Sequence, residues 1–379
     1  MKPIPYGRQS VDEEDIRAVT DVLRGDWLTT GPKVEEFEHA ICDYCGCRYA
    51  VAVNSGTSAL DIAVQSLGLP KGTEVITTPF TFAATSNALV YNGLIPVYAD
   101  ISRDTRNIDP DDVRRKITDK TGAVLCVDYA GHPCDIAELQ EICGEHDLFM
   151  IDDACHALGA TYRGKKTGTS ADMTVFSFHP VKVITTGEGG VVATDDPGRA
   201  AALRLLRSHG IDKNAHHLSE AGASWAYDMV ALGRNYRMTD IQAALGLSQA
   251  KKIDAFVQKR TGLSRLYNEL LRDIPGLEPP VTRADVTHAW HIYTILLKGN
   301  RRDAVFSRLK SRNIGVNLHY IPTYHFSYYR NHYPQDSSLF PVTEDVFHHI
   351  LTLPLYPDLR EEDVHLVVET LKKAIREIV

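Results

Sequence analysis

The sequence predicts an α/β protein built around a large, mostly parallel sheet with helices on both faces. Between residues 48 and 178, short apolar runs that are typical of buried strands alternate with segments of helical periodicity. Small or acidic residues follow several of these runs. Ligands of such sheets bind at the carboxyl ends of the strands. The alternation therefore indicates the fold class, and the polar strand ends indicate where a site would lie.

Two helices precede the first predicted strand. Acidic residues at 12–15 favour a helix N-terminus through the helix dipole, and Gly25 marks the end of this helix. Its predicted apolar face comprises Ile16, Val19, Val22 and Leu23. The loop Asp26–Thr29 follows, and the spacing of Phe37 and Ile41 predicts the second helix.

The rest of the chain divides into two patterns. Strands are predicted at residues 49–53, 74–78, 95–99, 123–127, 149–153 and 175–178. After residue 238, Thr239 is a favourable N-cap for a long helix. Further helices are predicted at residues 260–271, 302–312 and 361–378, around a strand at 290–297. We therefore predict a large domain over residues 1–249 and a smaller α+β domain over residues 250–379.

Composition and charge exclude several classes of function. The net charge of −8 provides no basic field for nucleic acid or for an anionic membrane. The chain has no apolar run long enough to span a bilayer, and residues 1–6 lack the apolar core of a signal peptide. We expect a cytoplasmic protein that binds neither nucleic acid nor membrane.

Three of the seven cysteines lie close together, as Cys42, Cys45 and Cys47. Three thiols are compatible with a metal site, but no second pair with the spacing of a zinc ribbon follows. The helical spacing before them favours an alternative in which Cys42 and Cys45 end a helix as small apolar residues. We therefore predict no metal ligands.

Lys182 stands in the segment Phe176-Ser-Phe-His-Pro-Val-Lys-Val-Ile184, just past the break that Pro180 makes in a strand. Its apolar neighbours would remove part of its hydration, which lowers the pKa of an ammonium group. A lysine with a lowered pKa can form an imine, whereas most single lysines are surface residues. The rest of the chain decides between these two interpretations.

Other strand ends carry groups with complementary chemistry. The turn Asn54–Ser58 connects a strand to a helix and presents free backbone N–H groups that favour phosphate, although a plain N-cap gives the same pattern. Asp128, Asp153 and His156 follow two other strands, where aspartates also cap helices. Phe82 could stack on a flat ring or lie in the core. A phosphate site, a buried carboxylate, a stacking ring and an imine-forming lysine are together what pyridoxal 5′-phosphate (PLP) requires.

Longer motifs carry a family resemblance. They are Asn54-Ser-Gly-Thr-Ser-Ala-Leu60, Thr78-Pro-Phe-Thr-Phe-Ala-Ala-Thr85, Asp152-Asp-Ala-Cys-His-Ala-Leu-Gly-Ala160, the Lys182 segment and Gly233-Arg-Asn-Tyr-Arg-Met-Thr-Asp240. In this order they resemble the DegT/DnrJ/EryC1/StrS family of PLP-dependent nucleotide-sugar aminotransferases over nearly the whole chain. The resemblance implies the type I, aspartate aminotransferase-like fold of PLP-dependent transferases. It also implies PLP as cofactor and a homodimer with shared active sites.

The resemblance assigns roles to individual residues as well. The catalytic residues would be Lys182, which binds the cofactor as an imine, Asp153, which faces the pyridine nitrogen, and His156. The other cofactor-binding residues would be Gly56, Thr57, Phe82, Ser177 and, from a second subunit, Asn235. The substrate-binding residues would be Tyr6, Asp26, Trp27, Leu28, Thr29, Leu318, His319, Tyr320 and Ile321.

Within the family, segments such as Val127–Gly131 and His288–Tyr293 resemble the transaminases of pseudaminic acid biosynthesis. That implies transfer of an amino group from L-glutamate to a UDP-linked 4-keto-6-deoxy-N-acetylhexosamine, giving UDP-4-amino-4,6-dideoxy-N-acetyl-β-L-altrosamine. Ile321 stands where relatives often have lysine, so keto sugars of the UDP-4-keto-arabinose or dTDP-keto-6-deoxyhexose type stay open. Lys182 disfavours a PLP-dependent sugar dehydratase, in which histidine replaces it. The absence of an added helix-turn-helix segment disfavours a non-enzymatic PLP-binding regulator.

Overall fold

The computed structural model describes residues 3–213, 225 and 227–378. The strands in these residues are β1 (Tyr49–Val53), β2 (Glu74–Thr77), β3 (Ile95–Tyr98), β4 (Thr121–Val127), β5 (Phe149–Asp153), β6 (Thr161–Tyr162), β7 (Lys165–Lys166), β8 (Met173–Ser177), β9 (Gly190–Thr194), β10 (Ile211–Asp212), β11 (Asp228–Met229), β12 (Leu277–Glu278), β13 (Val286–Thr287), β14 (Tyr293–Leu297) and β15 (Ile350–Leu353). The α-helices are α1 (Glu13–Arg24), α2 (Pro32–Cys45), α3 (Gly56–Ser66), α4 (Ala83–Tyr91), α5 (Pro110–Lys116), α6 (Ile136–Glu145), α7 (Pro197–Arg207), α8 (Asp240–Ala250), α9 (Ile253–Leu271), α10 (Arg302–Ser311), α11 (Ser327–His332), α12 (Pro341–His349) and α13 (Glu361–Arg376).

The large sheet has the strand order β1-β9-β8-β5-β4-β2-β3. Neighbouring strands from β8 to β3 are parallel, whereas β9 pairs antiparallel with both β1 and β8. The prediction of a mostly parallel sheet is therefore confirmed. Every residue of β9 is buried, as expected for a strand whose sheet is covered on both faces.

A second, antiparallel sheet has the order β12-β14-β15. Helix α13 packs on α9 and α10 beside it, and the core of this region includes Tyr267, Tyr293 and Val367. The helix predicted from residue 260 begins earlier, at Ile253, and the strand predicted from residue 290 begins later, at Tyr293. The division of the chain at residues 249 and 250 stays a prediction.

Helix α1 is where the predicted apolar face is wrong. Val22 is buried, but Ile16 is 50% exposed and Leu23 is 57% exposed. The helix packs on α8, and it uses a buried carboxylate to do so. Asp15 accepts a hydrogen bond of 2.6 Å from Gln249 Nε2. Periodicity therefore predicted the helix correctly, but it did not predict which face of the helix packs against the rest of the chain.

Predicted helix ends are better supported. Asp12 caps α1 and Thr239 caps α8, each within a capping box, and α2 ends at Cys45. No helix in the described part of the chain is long and apolar enough to cross a membrane.

Candidate active site

A cavity of about 590 Å³ opens at the carboxyl ends of β4, β5 and β8. Val127, Asp153 and Ser177, the last residues of these strands, all line it. The structure brings together there the predicted residues Tyr6, Gly56, Thr57, Phe82, Asp153, His156, Ser177, Lys182, Leu318, His319, Tyr320 and Ile321. The site thus lies at the sheet edge that the polar strand ends indicate.

One end of the cavity suits an anion. Helix α3 begins at Gly56, and its first turn leaves backbone N–H groups without intrahelical acceptors. The preceding Ser55 is the N-cap and accepts from the Ser58 N–H at 3.0 Å. A Cβ atom on Gly56 would lie only 2.7 Å from Ser177 Cβ, so glycine is what lets the helix N-terminus approach Ser177. A helix N-terminus beside a hydroxyl is a favourable phosphate site.

The glycines that follow Lys182 support this approach. Gly190 pairs with Val53 where β9 meets β1, and a Cβ atom on Gly190 would overlap the carbonyl oxygen of Ser55. Any larger residue would push β9 away from the turn that starts α3. The glycine-rich segment is therefore a packing requirement of the anion pocket.

Asp153 forms the acidic wall of the cavity. Its side chain is buried, and Oδ2 accepts a hydrogen bond of 2.8 Å from Thr85 Oγ1. Oδ1 accepts from the Cys155 N–H at 3.3 Å. These donors fix the carboxylate at the end of β5 while both oxygens keep lone pairs for a further donor. Asp128, at the end of β4, lies outside the cavity lining, and burial raises its pKa to about 7.

Lys182 lies on the loop between β8 and β9 and lines the same cavity. Burial lowers the pKa of its amine, while the charges of Cys155 and Asp153 act in the opposite direction. The Lys182 N–H donates to the carbonyl of His179, and its carbonyl accepts from the buried Arg260 at 3.4 Å. The predicted desolvation of this lysine agrees with the pKa shift.

His156 and the segment Leu318–Ile321 form the opposite wall. Burial lowers the pKa of His156 well below its usual range, with a smaller effect of the charge on Lys182. Burial also lowers the pKa of His319 to about 3, and its Nδ1 lies 2.8 Å from Thr352 Oγ1. Both imidazoles are therefore neutral at physiological pH.

Aromatic rings line the cavity mouth. Phe82 is 61% exposed, so its ring presents an open face rather than a core contact. Its centroid lies 6.2 Å from that of Tyr320, and the ring of Tyr6 lies 5.5 Å from that of His319. This geometry agrees with the interpretation of Phe82 as a stacking residue.

Five predicted residues lie outside the cavity of their own chain. Asp26 and Trp27 line a separate hollow of about 740 Å³ beside α1, α2 and α8. The carbonyl of Leu28 accepts from the Asp240 N–H, and Thr29 pairs with Thr239. Asn235 is exposed and pairs with Ser208.

Several residues of the cavity were not predicted from the sequence, and three of them are polar groups close to predicted site residues. Thr85 anchors Asp153, His291 lies with its ring centroid 4.3 Å from that of His156, and Asn317 precedes the predicted Leu318. Thr85 and His291 both lie inside motifs that carry the family resemblance. The sequence signal for these residues was a hydroxyl or imidazole within a family motif, but only the fold shows that such a group faces the cavity.

The cavity residues fit PLP. The α3 N-terminus with Ser177 suits a phosphate, the Asp153 carboxylate suits a protonated pyridine nitrogen, and the amine of Lys182 lies in the same cavity. Phe82 offers a ring face for stacking. Each of these groups would hold a different part of one cofactor.

Comparisons with known proteins agree with this chemistry. The DegT/DnrJ/EryC1/StrS aminotransferase family matches residues 9–372. SpsC of Bacillus subtilis (strain 168), a spore coat polysaccharide biosynthesis protein, is 38% identical over 98% of this chain and 97% of SpsC. Helicobacter pylori PseC, an aminotransferase involved in the biosynthesis of pseudoaminic acid, superposes with a TM-score of 0.93 at 33% identity, over 99% of this chain and 100% of PseC. Spr1654 from Streptococcus pneumoniae, solved in its PLP form, gives a TM-score of 0.93 at 30% identity over 100% of both chains.

Proposed function

Because the chain belongs to the DegT/DnrJ/EryC1/StrS aminotransferase family, we propose that it transfers an amino group from L-glutamate to a UDP-linked 4-keto-6-deoxy-N-acetylhexosamine. The product would be UDP-4-amino-4,6-dideoxy-N-acetyl-β-L-altrosamine. Membership of the family makes the chain a sugar aminotransferase that uses PLP. The observation that carries the specific substrate is the similarity to PseC over 99% of the chain, with a TM-score of 0.93.

The geometry supports a role for each of the chain's own groups. When bound, PLP supplies an aldehyde that takes up the amino group and a pyridinium ring that withdraws electrons. Lys182 Nζ, whose pKa burial lowers, acts as the base and acid that moves a proton at the α-carbon of glutamate. The N-terminus of α3 and Ser177 orient the phosphate.

The carboxylate of Asp153 would hold a proton on the pyridine nitrogen of bound PLP. A carboxylate near a nitrogen base favours the protonated form of that base. The hydrogen bond from Thr85 and the N–H of Cys155 hold the carboxylate in one orientation, so the proton is held at a fixed point. The neutral imidazole of His156 adds no competing positive charge.

We propose that the active unit is a homodimer in which a second copy supplies Asn235 and the loop Asp26–Thr29. These residues lie outside the cavity of their own chain, and Trp27 is 57% exposed. A test uses two inactive variants, Lys182→Ala and Asn235→Ala, which are mixed under conditions that allow subunit exchange. If sites are shared, half of the dimers are mixed and each has one intact site, so about a quarter of wild-type activity returns. If each chain forms its own site, no activity returns.

A second keto sugar is the alternative substrate. The 38% identity to SpsC, a spore coat polysaccharide biosynthesis protein, favours a related sugar nucleotide. Ile321 lines the cavity with an apolar side chain, so it offers no charge to a phosphate of the substrate. The alternative substrates are keto sugars of the UDP-4-keto-arabinose or dTDP-keto-6-deoxyhexose type.

The test is product analysis with a panel of UDP- and dTDP-linked keto sugars and L-glutamate. Mass spectrometry should show conversion of the UDP-linked 4-keto-6-deoxy-N-acetylhexosamine in preference to the others. Conversion of only another keto sugar would overturn the assignment of the substrate, and a fully active Lys182→Ala variant would overturn the assignment of the base.

A further inference from the structure

The turn after β4 contacts three residues that line the active-site cavity. The Tyr129 hydroxyl donates to the carbonyl of His319 at 2.6 Å. The Ala130 N–H donates to His156 Nδ1 at 3.2 Å, and the Ala130 carbonyl accepts from the His291 N–H at 2.9 Å. The turn itself, Tyr129–Gly131, is buried.

The turn has an unusual backbone that serves these contacts. Ala130 has a φ of 59°, a left-handed conformation that non-glycine residues seldom adopt. Gly131 has a φ of 99°, and a Cβ atom there would lie 2.8 Å from the His156 carbonyl oxygen. Strained backbone of this kind persists where the surroundings hold it, often at functional sites.

The bond from Ala130 determines the tautomer of His156. Since a backbone N–H can only donate, Nδ1 of His156 must be an unprotonated acceptor. The neutral ring therefore carries its hydrogen on Nε2. Nε2 lies 3.0 Å from the Tyr320 hydroxyl, so His156 is the donor and the Tyr320 oxygen is the acceptor.

This direction leaves the hydrogen of the Tyr320 hydroxyl available. Among the described residues, no side chain or carbonyl accepts from it. Tyr320 lines the cavity, and its ring lies beside those of Phe82 and His156. The ring is also held from behind, because Tyr129 binds the carbonyl of the preceding residue and packs edge-on at 6.5 Å.

We infer that Tyr320 donates a hydrogen bond to the keto oxygen of the sugar substrate, and that His156 and Tyr129 are positioning residues for this donor. The inference rests on the proposed function, because it requires a keto sugar in the cavity. A donor at that oxygen stabilises the negative charge that develops on it when the amine that is transferred forms its C–N bond and the electrons of the C=O π bond move to the oxygen, which then takes up protons and leaves as water. His156 strengthens the donor because its own N–H polarises the hydroxyl.

The first test is spectroscopic and needs neither cofactor nor substrate. In protein labelled with ¹⁵N-histidine, the resonances that vanish in His156→Gln belong to His156. They should show a protonated Nε2 and an unprotonated Nδ1 at neutral pH. A protonated Nδ1 would overturn the inference.

The second test separates the two halves of the reaction. In Tyr320→Phe, we expect the amino transfer to the keto sugar to slow by about 10- to 100-fold, the effect of losing one preorganised donor. The loss should be confined to this half, with the reaction of glutamate, followed by visible absorbance, keeping its rate. Tyr328→Phe, which alters an exposed tyrosine outside the cavity, is the matched control. Equal slowing of both halves, or of neither, would contradict the donor role.

The positioning residues are tested by rescue. His156→Phe should slow the sugar half as Tyr320→Phe does, whereas His156→Gln, which can present an N–H near the position of Nε2, should recover at least part of the rate. Equal losses in the two variants would show that His156 does not act through its N–H. If wild-type protein converts no keto sugar of the panel, the proposed function fails. The first test needs no substrate, so it shows separately whether His156 has the tautomer that the inference requires.

Discussion

The contact between Gly56 and Ser177 allows one substitution to be worked through from the structure. In Gly56→Ala, the new methyl carbon would lie 2.7 Å from Ser177 Cβ and 2.9 Å from Ser177 Oγ. Both atoms belong to a short side chain beside the strand end, so the overlap of about 1 Å must move the start of α3 or Ser177. The backbone N–H groups that would face the phosphate move with it.

A displacement of this size should weaken cofactor binding strongly. A misplacement of about 1 Å in an active site can lower the reaction rate about 100-fold. We therefore expect the affinity for PLP, which depends on the same placement, to fall by about 10- to 100-fold. That equals about 1.4 to 2.7 kcal/mol of binding free energy. Titration of cofactor-free protein with PLP, followed by visible absorbance, measures the change. Gly144→Ala, on helix α6 with open space around the added methyl group, should bind PLP as the wild type does.

A double variant distinguishes the steric argument from general damage. Ser177→Gly removes both atoms that the new methyl group meets, and the nearest remaining atom is Ser177 Cα at 3.4 Å. Gly56→Ala combined with Ser177→Gly should therefore bind PLP more tightly than Gly56→Ala alone, although the hydroxyl is lost. If the double variant loses as much PLP affinity as Gly56→Ala and Ser177→Gly lose together, the reasoning is refuted.

Three further predictions concern buried polar groups. Thr85→Val removes the donor to Asp153 Oδ2, and PLP titration should show an affinity about 10-fold lower, since a hydrogen bond to a charged group is worth about 1.5 kcal/mol or more. Arg260→Met leaves four backbone carbonyls without their buried donor, so urea unfolding should show a loss of about 3 kcal/mol or more, whereas Arg265→Met on the exposed side of α9 should change stability by about 0.5 kcal/mol or less. Burial raises the pKa of Asp128 to about 7, so its proton is bound more tightly in the folded state, and the contribution of Asp128 to the free energy of unfolding should fall as pH rises from about 4 to about 7. In Asp128→Asn, this contribution is lost, so the free energy of unfolding of the variant, measured with urea and compared with that of the wild type, should rise relative to it as pH increases across that range; a constant difference would contradict the assignment.

The strands of the large sheet were predictable because their signals are local. The run Tyr49–Val53 is apolar over its full length, and a strand buried on both faces needs only that pattern. The turn Asn54–Ser58 likewise shows its chemistry in its residue types, because small residues before a helix indicate free N–H groups. Lys182 was identified in the same way, from apolar neighbours that are adjacent in sequence.

The residues that the sequence did not reveal act over long separations. Thr85 serves the site only because α4 lies beside the end of β5, which places its hydroxyl against Asp153. The effect of Ala130 depends on a left-handed backbone that no residue type in Tyr129–Gly131 specifies except Gly131. Local patterns give the identity of a group, whereas its direction depends on contacts between distant segments.

The wrongly predicted face of α1 and the loop outside the cavity share one property: both expose apolar side chains. Ile16 and Leu23 have the spacing of a buried helical face, yet they are half exposed or more, as are Trp27 and, nearly so, Leu28. Large exposed patches of apolar residues are typical of protein interaction sites. The same segment contains Asp26–Thr29, which the family resemblance assigns to the substrate pocket although it lies outside the cavity of its own chain. Both discrepancies disappear if a second copy covers this face and receives the loop, and the exchange experiment with Lys182→Ala and Asn235→Ala tests the shared site that this explanation requires.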